Sequence, residues 1–354
     1  MKPEPFRIEP TFVPRIWGAR SLAPLYPEKT NLSEPIGEVW LTGVDCEIAT
    51  GPFAGKTLGE AWREMPAEWR GTRFEEPGDF PILIKFIFPN DKLSIQVHPD
   101  DAYAAAHEQV SGGRGKTEMW HVISSEPDAH VFVGTKPGVS KQQFLEAIKN
   151  QTLENLLEKH PVHNGDTFFV PAGTPHTIGP GMVLCEVQEY SDLTYRVYDY
   201  GRVDAQGKPR ELHVEKALDV VKFGNTTAAK VPCLRLWSGD ERDGGGNRTL
   251  LSACRYFTVE RWELYERFLT YQQTGLQFDI HVVLGGSGQY GWREADTKFQ
   301  PGQCWFIPAC LSGMPSATRH TAMLRAYIPD LNTVRSDLRV QHHSEAEIAR
   351  TVFV

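Results

Sequence analysis

The sequence predicts a mostly β protein built from two related β modules with a small helical insertion. Three observations carry this reading. Gly (31) and Pro (25) supply about one residue in six of the 354, a turn-rich composition that favours strands over a helical bundle. Apolar residues alternate with period two, or form short runs bounded by turn residues, through most of the chain. One pattern also recurs: Gly165-Asp-Thr-Phe-Phe-Val-Pro171 is echoed by Gly302-Gln-Cys-Trp-Phe-Ile-Pro308, and Ala follows each Pro. The length itself suits two domains.

Taken in order, residues 1–60 are rich in Pro and Gly and read as short strands and loops, with Glu38-Val39-Trp40-Leu41 the clearest strand. Residues 57–69 predict a short helix, because Thr57 and Glu60 stand at the capping-box spacing. Residues 81–98 read as two strands around the turn Pro89-Asn90-Asp91. In the second, Leu93, Ile95 and Val97 share one face and Ser94, Gln96 and His98 the other. Residues 118–134 predict a hairpin turning at Glu126-Pro127-Asp128. Residues 139–159 carry a helical apolar stripe (Phe144, Ile148, Leu153, Leu156, Leu157) with a break near Asn150. Strands are expected at 166–171 and 182–190, a helix at 211–223, a Gly-rich linker at 226–249, and strand-and-turn pattern again from 250 to 329. The domains expected are therefore 1–225, the linker 226–249, and 250–354. In the second module Gly313 stands where the first has His176, so that module is expected to carry no metal.

Charge narrows the function. Lys+Arg 37 against Asp+Glu 45 gives a formal −8, which lacks the basic footprint of a nucleic-acid binder but leaves room for a local basic pocket. The opening residues show no apolar signal core, and no apolar run is long enough to span a bilayer. The six cysteines contain no Cys-x-x-Cys pair, which suits reduced thiols and a cytoplasmic setting. The expected partner is a small molecule, with no nucleic acid and no membrane, and the chain is expected to act as a monomer or homodimer.

The chemistry gathers in a few positions. Gly165-x5-Pro171-Ala172-Gly173-x2-His176 matches the second cupin motif, which ends in a histidine projecting into a β-barrel. Gln96 and His98 lie two apart on one strand face, and Glu118 opens the next strand-like run. Two imidazoles, a carboxylate and an amide oxygen form a mixed donor set suited to zinc or another first-row divalent metal. Lys85 interrupts the apolar run Ile82–Phe88. A charge there either faces a polar pocket or marks an edge strand turned to water. Arg196 and Asp192 either serve a substrate or pair with each other. Trp17, Trp40 and Trp120 suit a sugar pocket or plain core, and the remaining histidines carry no assignment.

Leu93-Ser-Ile-Gln-Val-His-Pro-Asp-Asp101, Gly115-Lys-Thr-Glu-Met-Trp120, Pro171-Ala-Gly-Thr-Pro-His176 and Ser191-Asp-Leu-Thr-Tyr-Arg-Val-Tyr-Asp-Tyr-Gly-Arg202 occur in a recognisable order. With them the chain resembles the type I mannose-6-phosphate isomerases (phosphomannose isomerases), particularly the shorter bacterial form. Arg15-Ile-Trp-Gly18 and Gly37-Glu-Val-Trp40 fit too, and the resemblance spans about residues 6–330. It implies two cupin-type β-barrel (jelly-roll) modules and one zinc ion on Gln96, His98, Glu118 and His176. It implies interconversion of mannose 6-phosphate and fructose 6-phosphate through a cis-enediol. Lys116, Arg196 and Asp192 would be catalytic, and Ser94, Lys85 and Arg196 would bind substrate. Some relatives have His-Lys-Pro-Glu where this chain has Gly115-Lys-Thr-Glu118, so a mechanism using that histidine cannot operate here. The acid/base work then shifts toward Lys116 or a metal-bound water, with Lys116 otherwise a charge partner of the phosphate. Two rival readings are a cupin metalloenzyme acting on another sugar phosphate or as a dioxygenase, and a non-catalytic sugar-binding cupin.

Overall fold

Among the described residues, four antiparallel sheets stacked in two face-to-face pairs make the frame. The computed structural model describes residues 2–74, 76, 78–203, 207–224, 229–238, 246–265, 275–290, 297–311, 315–317 and 320–353. In the first pair, a seven-stranded sheet runs in the order Ala229–Lys230, Thr167–Val170, Glu118–Ser125, Met182–Glu189, Ile82–Ile87, Ile36–Trp40, Thr11–Ala19. It faces a five-stranded sheet ordered Tyr195–Tyr198, Ile95–Val97, His176–Ile178, His130–Thr135, Leu157–Pro161. Trp120, Val122, Val131, Val133, Phe168, Val170, Ile178 and Leu184 fill the space between them. In the second pair, a seven-stranded sheet around Asp279–Gly285 and Thr321–Tyr327 packs on the three short strands Gly288–Tyr290, Thr297–Phe299 and Pro315–Ala317, over Trp262, Val283, Tyr290, Phe299 and Met323.

The two large sheets then pack against each other through their other faces. Ile82, Ile84, Phe86, Cys185 and Val187 of the first meet Val259, Ile280, Val282, Phe306 and Leu324 of the second in one core. Central strands covered on both sides cannot alternate apolar with polar. That is why Ile82–Ile87 and Met182–Glu189 are buried at every position and why Ile82–Ile87 and the first half of Met182–Glu189 read as near-continuous apolar runs. The ends of this core are closed by the capped helix Leu58–Glu64, whose Thr57 and Glu60 form the expected capping box. Trp62 on that helix packs edge-on against Phe80 and Phe278.

Several expectations are corrected. Residues 118–134 do not form a hairpin: Glu118–Ser125 pairs with Met182–Glu189 and Thr167–Val170, while His130–Thr135 pairs with His176–Ile178 and Leu157–Pro161. The chain crosses between facing sheets at the turn, so both strands bury apolar faces without touching as a ladder. The helix over 139–159 ends at Asn150, where the sequence placed a break. Beyond it come a 3₁₀ turn, Leu153–Leu156, and the strand Leu157–Pro161, whose alternating half-buried pattern belongs to an edge strand. The helix at 211–223 is shorter, Val214–Val220. Leu93 precedes the strand Ile95–Val97 and packs between the sheets, whereas Ile95 and Val97 face Phe144, Ala217 and Val220 of the helical insertion. The stretch 226–249 contains Ala229–Lys230 in the first large sheet and Leu234–Ser238 in the second. Residues 225–228 and 239–245 lie outside the described residues. One strand crosses the boundary expected at 225: Phe6–Ile8 pairs with Cys304–Ile307 at the edge of the second large sheet.

The repeated motif has a structural counterpart. Gly165 (φ 87°) and Gly302 (φ 81°) each take the left-handed conformation in the turn that enters a fully buried strand, Thr167–Val170 and Cys304–Ile307. Gly313 lies outside the described residues.

The packing makes two predictions. Phe278 is fully buried between Trp62, Phe80 and Phe306. Phe278→Ala should cost about 3–5 kcal/mol, read as a lowered urea midpoint. The second concerns pH. His121 and His281 are buried and held neutral: burial, reinforced by Arg261 and Arg325 respectively, pushes each pKa down to about 3. The unfolded chain takes up these protons near pH 6.5 and the folded chain does not. The pair's contribution to stability is therefore full above pH 6.5 and is lost as pH drops toward 3. The direct check is an NMR titration of the two imidazoles in the folded chain: both should stay in the neutral form from pH 7.5 to pH 5, and a midpoint near 6.5 for either contradicts the assignment.

Candidate active site

The floor of the site is assembled where the first two sheets face each other. His176 opens a strand of the five-stranded sheet, and its backbone is in register with Gln96 on the neighbouring strand. His98 follows that neighbour by one residue. Glu118 opens a strand of the opposite sheet. The ligand atoms of His98, Glu118 and His176 all lie within 4.8 Å of one another, and all three residues are buried. Glu118 Oε1 is 3.3 Å from His176 Nε2, and Glu118 Oε2 is 3.5 Å from His98 Nε2. The side-chain amide of Gln96 is 3.3 Å from His176 Nε2, so this sequence-predicted quartet is brought together.

The imidazoles are set in one tautomer. His98 Nδ1 is 2.9 Å from the Leu193 carbonyl and His176 Nδ1 is 2.8 Å from the Thr174 carbonyl. A carbonyl only accepts, so each Nδ1 carries the proton and each Nε2 presents a lone pair inward. Burial lowers the pKa of His176 to about 4 and that of His98 well below the ordinary value, with Lys116 adding to both. Both rings are therefore neutral near pH 7, the form that ligates metal. Glu118 Oε1 is buried without a hydrogen-bond partner among the described residues. An orphaned carboxylate oxygen beside two nitrogen lone pairs is costly in a dry interior, and this donor set fits a divalent cation.

Charged groups rise from this floor to the mouth. Lys116 Nζ is 3.2 Å from His98 Nε2, hydrogen bonds to Glu118, and lies 3.7 Å from Glu186. Burial pulls its pKa down, but Glu118 and Glu186 outweigh that and hold the ammonium above its ordinary value. Burial, together with repulsion from Glu118, raises Glu186, which also accepts from the Trp120 indole at 3.1 Å. Lys85, paired in register with Glu186, is no edge residue. It is buried, bonds Asp192 at 2.9 Å and lies 4.5 Å from the centre of the Trp40 ring. Asp192 thus pairs with Lys85 and not with Arg196.

A cavity of about 470 Å³ opens above these groups, a size typical of small-molecule sites. Its walls include Trp17, Lys85, Ser94, Gln96, Lys116, Glu186, Asp192 and Arg196. Larger cavities open elsewhere, one of about 740 Å³ beside Asn31 and Ser125, but without such buried charge. At the mouth Arg196 donates to the Glu211 carbonyl at 2.9 Å, yet its buried Nε has no partner among the described residues. Burial and the neighbouring Arg210 lower its pKa, the mark of a cation lacking a matching anion. Trp120 packs beside His176 beneath the cavity.

Sequence reasoning missed Glu186, Glu38 and Arg210 on these walls. Glu186 carries the same signal as Lys85, a charge inside an apolar strand, and that logic applied to Met182–Glu189 would have found it. Glu38 is held by Arg15 at 2.9 Å, and Arg210 by Asp199 at 2.8 Å. Nothing in the spacing of either announces the cavity.

A buried His-Glu-His set beneath a cation-rimmed cavity defines a β protein with a metal-type centre suited to a small anionic ligand. Comparison with known proteins narrows the class. The sequence family "Phosphomannose isomerase type I, catalytic domain" matches residues 6–119. The chain is 33% identical over 311 residues to the probable mannose-6-phosphate isomerase GmuF of Bacillus subtilis, covering 86% of this chain and 93% of that protein. It is 35% identical over 309 residues to the mannose-6-phosphate isomerase of Streptococcus mutans, covering 84% and 92%. The solved mannose 6-phosphate isomerase of Bacillus subtilis superposes with a TM-score of 0.81 at 30% identity, over 91% of this chain and 99% of that one. The chain belongs to the type I phosphomannose isomerases.

Proposed function

We infer that the chain interconverts mannose 6-phosphate and fructose 6-phosphate. The observation that carries this is the His98–Glu118–His176 floor under a cavity whose mouth holds an under-neutralised arginine, in a chain of this family. Zinc is the metal we assign, held by His98, Glu118 and His176 with Gln96 as the neutral fourth donor. When bound it would supply Lewis acidity toward a sugar oxygen. The two sheet pairs are assigned as cupin modules, divided near 225 and 250, and the six free cysteines support a cytoplasmic setting.

The chain's own residues divide the remaining work. Arg196, with Arg210 close by, receives the phosphate, since a guanidinium fork matches its oxygens. Lys85 and Ser94 line the wall between phosphate and floor and orient the sugar hydroxyls. Lys116 is held as an ammonium by Glu118 and Glu186, so it serves as charge partner and proton donor to an oxygen that becomes negative during isomerisation. The Lys116–Glu186 contact makes Glu186 the partner able to return the proton. Asp192, half exposed at the mouth beside Lys85, stands where a sugar ring could be opened.

Two experiments test the assignment. Turnover of mannose 6-phosphate should vanish with a chelator and return with zinc, and turnover that survives chelation contradicts the metal role. Substitutions should also separate. Lys116→Met should lower kcat by about a thousandfold or more with a modest change in KM. Arg196→Ala should raise KM by about ten- to a hundredfold through loss of a charged hydrogen bond. Equal effects of both on kcat alone would contradict this division of roles.

A further inference from the structure

We propose that the second module is a working part of the site: its Arg255–Tyr256 turn clamps the loop that carries Lys116 and Glu118. The inference rests on the assignment of those two residues above. The loop is residues 112–118. It reaches its strand through three backbone ties. The Gly115 N–H donates to Asp101 Oδ1 at 3.0 Å, the Lys116 N–H to the Pro99 carbonyl at 3.1 Å, and the Thr117 N–H to Glu189 Oε1 at 2.6 Å. The loop also lies flat on the start of the helix Asp101–His107. A Cβ at Gly115 would meet Asp101 N at 2.6 Å and Asp100 C at 2.8 Å, so no other residue fits without displacing the loop.

Asp101 is the pivot. Its second oxygen, Oδ2, accepts the Tyr256 hydroxyl at 2.6 Å and the Arg255 guanidinium at 3.2 Å. Both donors sit in the turn between the strands Gly246–Ala253 and Thr258–Leu264 of the second large sheet. That turn is closed on itself, with Cys254 N–H donating to the Phe257 carbonyl at 2.8 Å. A hydrogen-bonded line therefore runs from the second module through Asp101 to the peptide one residue from Lys116. Charge-assisted bonds of this kind are stronger than neutral ones, and small displacements of a reacting group cost much rate. Arg255 and Tyr256 touch no reacting atom, so they are positioning residues. The second module needs no metal to contribute: it supplies the fixed wall against which the loop is held.

The test uses the full chain and two mild variants. Tyr256→Phe removes one hydroxyl, and Arg255→Ala removes a side chain that is 65% exposed. Each should lower kcat about tenfold with KM for mannose 6-phosphate within about twofold. Each should also weaken zinc binding about tenfold in competition with a chelator. In metal-free protein, amide hydrogen exchange at residues 113–118 should quicken at least tenfold. Tyr327→Phe, which takes a hydroxyl from the buried Glu260 of the same module, should reduce thermal stability and leave all three readings unchanged. Exchange at 113–118 equal to the parent's in both variants overturns the clamp whatever the activity does. A parent that binds no zinc and turns over in chelator overturns the site assignment instead, and the exchange reading still judges the clamp.

Discussion

Burial of both faces of the strands Ile82–Ile87 and Met182–Glu189 is the constraint on which the rest of the molecule depends. These strands lie at the centre of the first large sheet, one face turned to the second module and the other to the interior of the first. Every position on them must be apolar or answered by a partner. Four polar side chains meet this condition in two ways. Lys85 and Glu186, adjacent across the ladder, open into the cavity. Gln188 and Glu189, at the end of their strand, are answered by the chain itself: Gln188 Nε2 donates to the Glu189 carbonyl at 3.1 Å and Glu189 Oε1 accepts the Thr117 N–H at 2.6 Å. The charges on the cavity wall are thus placed by strands whose other positions are apolar or already paired.

The same dryness sets the protonation pattern. Burial drives the imidazoles of His98 and His176 neutral and pushes Glu186 toward its acid form, while Lys116 is kept charged by two carboxylates. The interior arranges lone pairs, an acid of raised pKa and an ammonium within a few ångströms and leaves one carboxylate oxygen open. Water would level these differences. The low-dielectric floor preserves them.

Much of this was legible in the sequence because it rests on local spacing. Thr57 and Glu60 announced a helix start, Gly165 and Pro171 bracketed a strand, and Gln96 and His98 had to share a face if their strand was extended. Lys85 was legible as an anomaly, since charge in an apolar run demands a partner. What stayed hidden depends on which sheet each strand joins. The apolar runs at 118–125 and 130–135 look like a hairpin, and only the facing sheet tells them apart. Glu38 and Arg210 reach the cavity because a distant strand and a loop happen to end there, and no short-range pattern encodes that.

The second module shows what the first would be if its charges were closed. Its interior also buries acids, but each is answered: Glu260 by Arg248 and Arg325, and Asp279 by Arg325 at 2.9 Å. His281 lies among them with its Nδ1 on the Tyr290 hydroxyl. A buried acid neutralised by an arginine fork has no need of a cation from outside. Glu118 faces two neutral imidazoles and one lysine, and one of its oxygens remains open. The difference between the two interiors therefore lies in whether both oxygens of the buried carboxylate find partners within the chain. In the first, Lys116 answers Glu118 Oε2 while Oε1 stays open beside two imidazole lone pairs, an arrangement that suits a divalent cation.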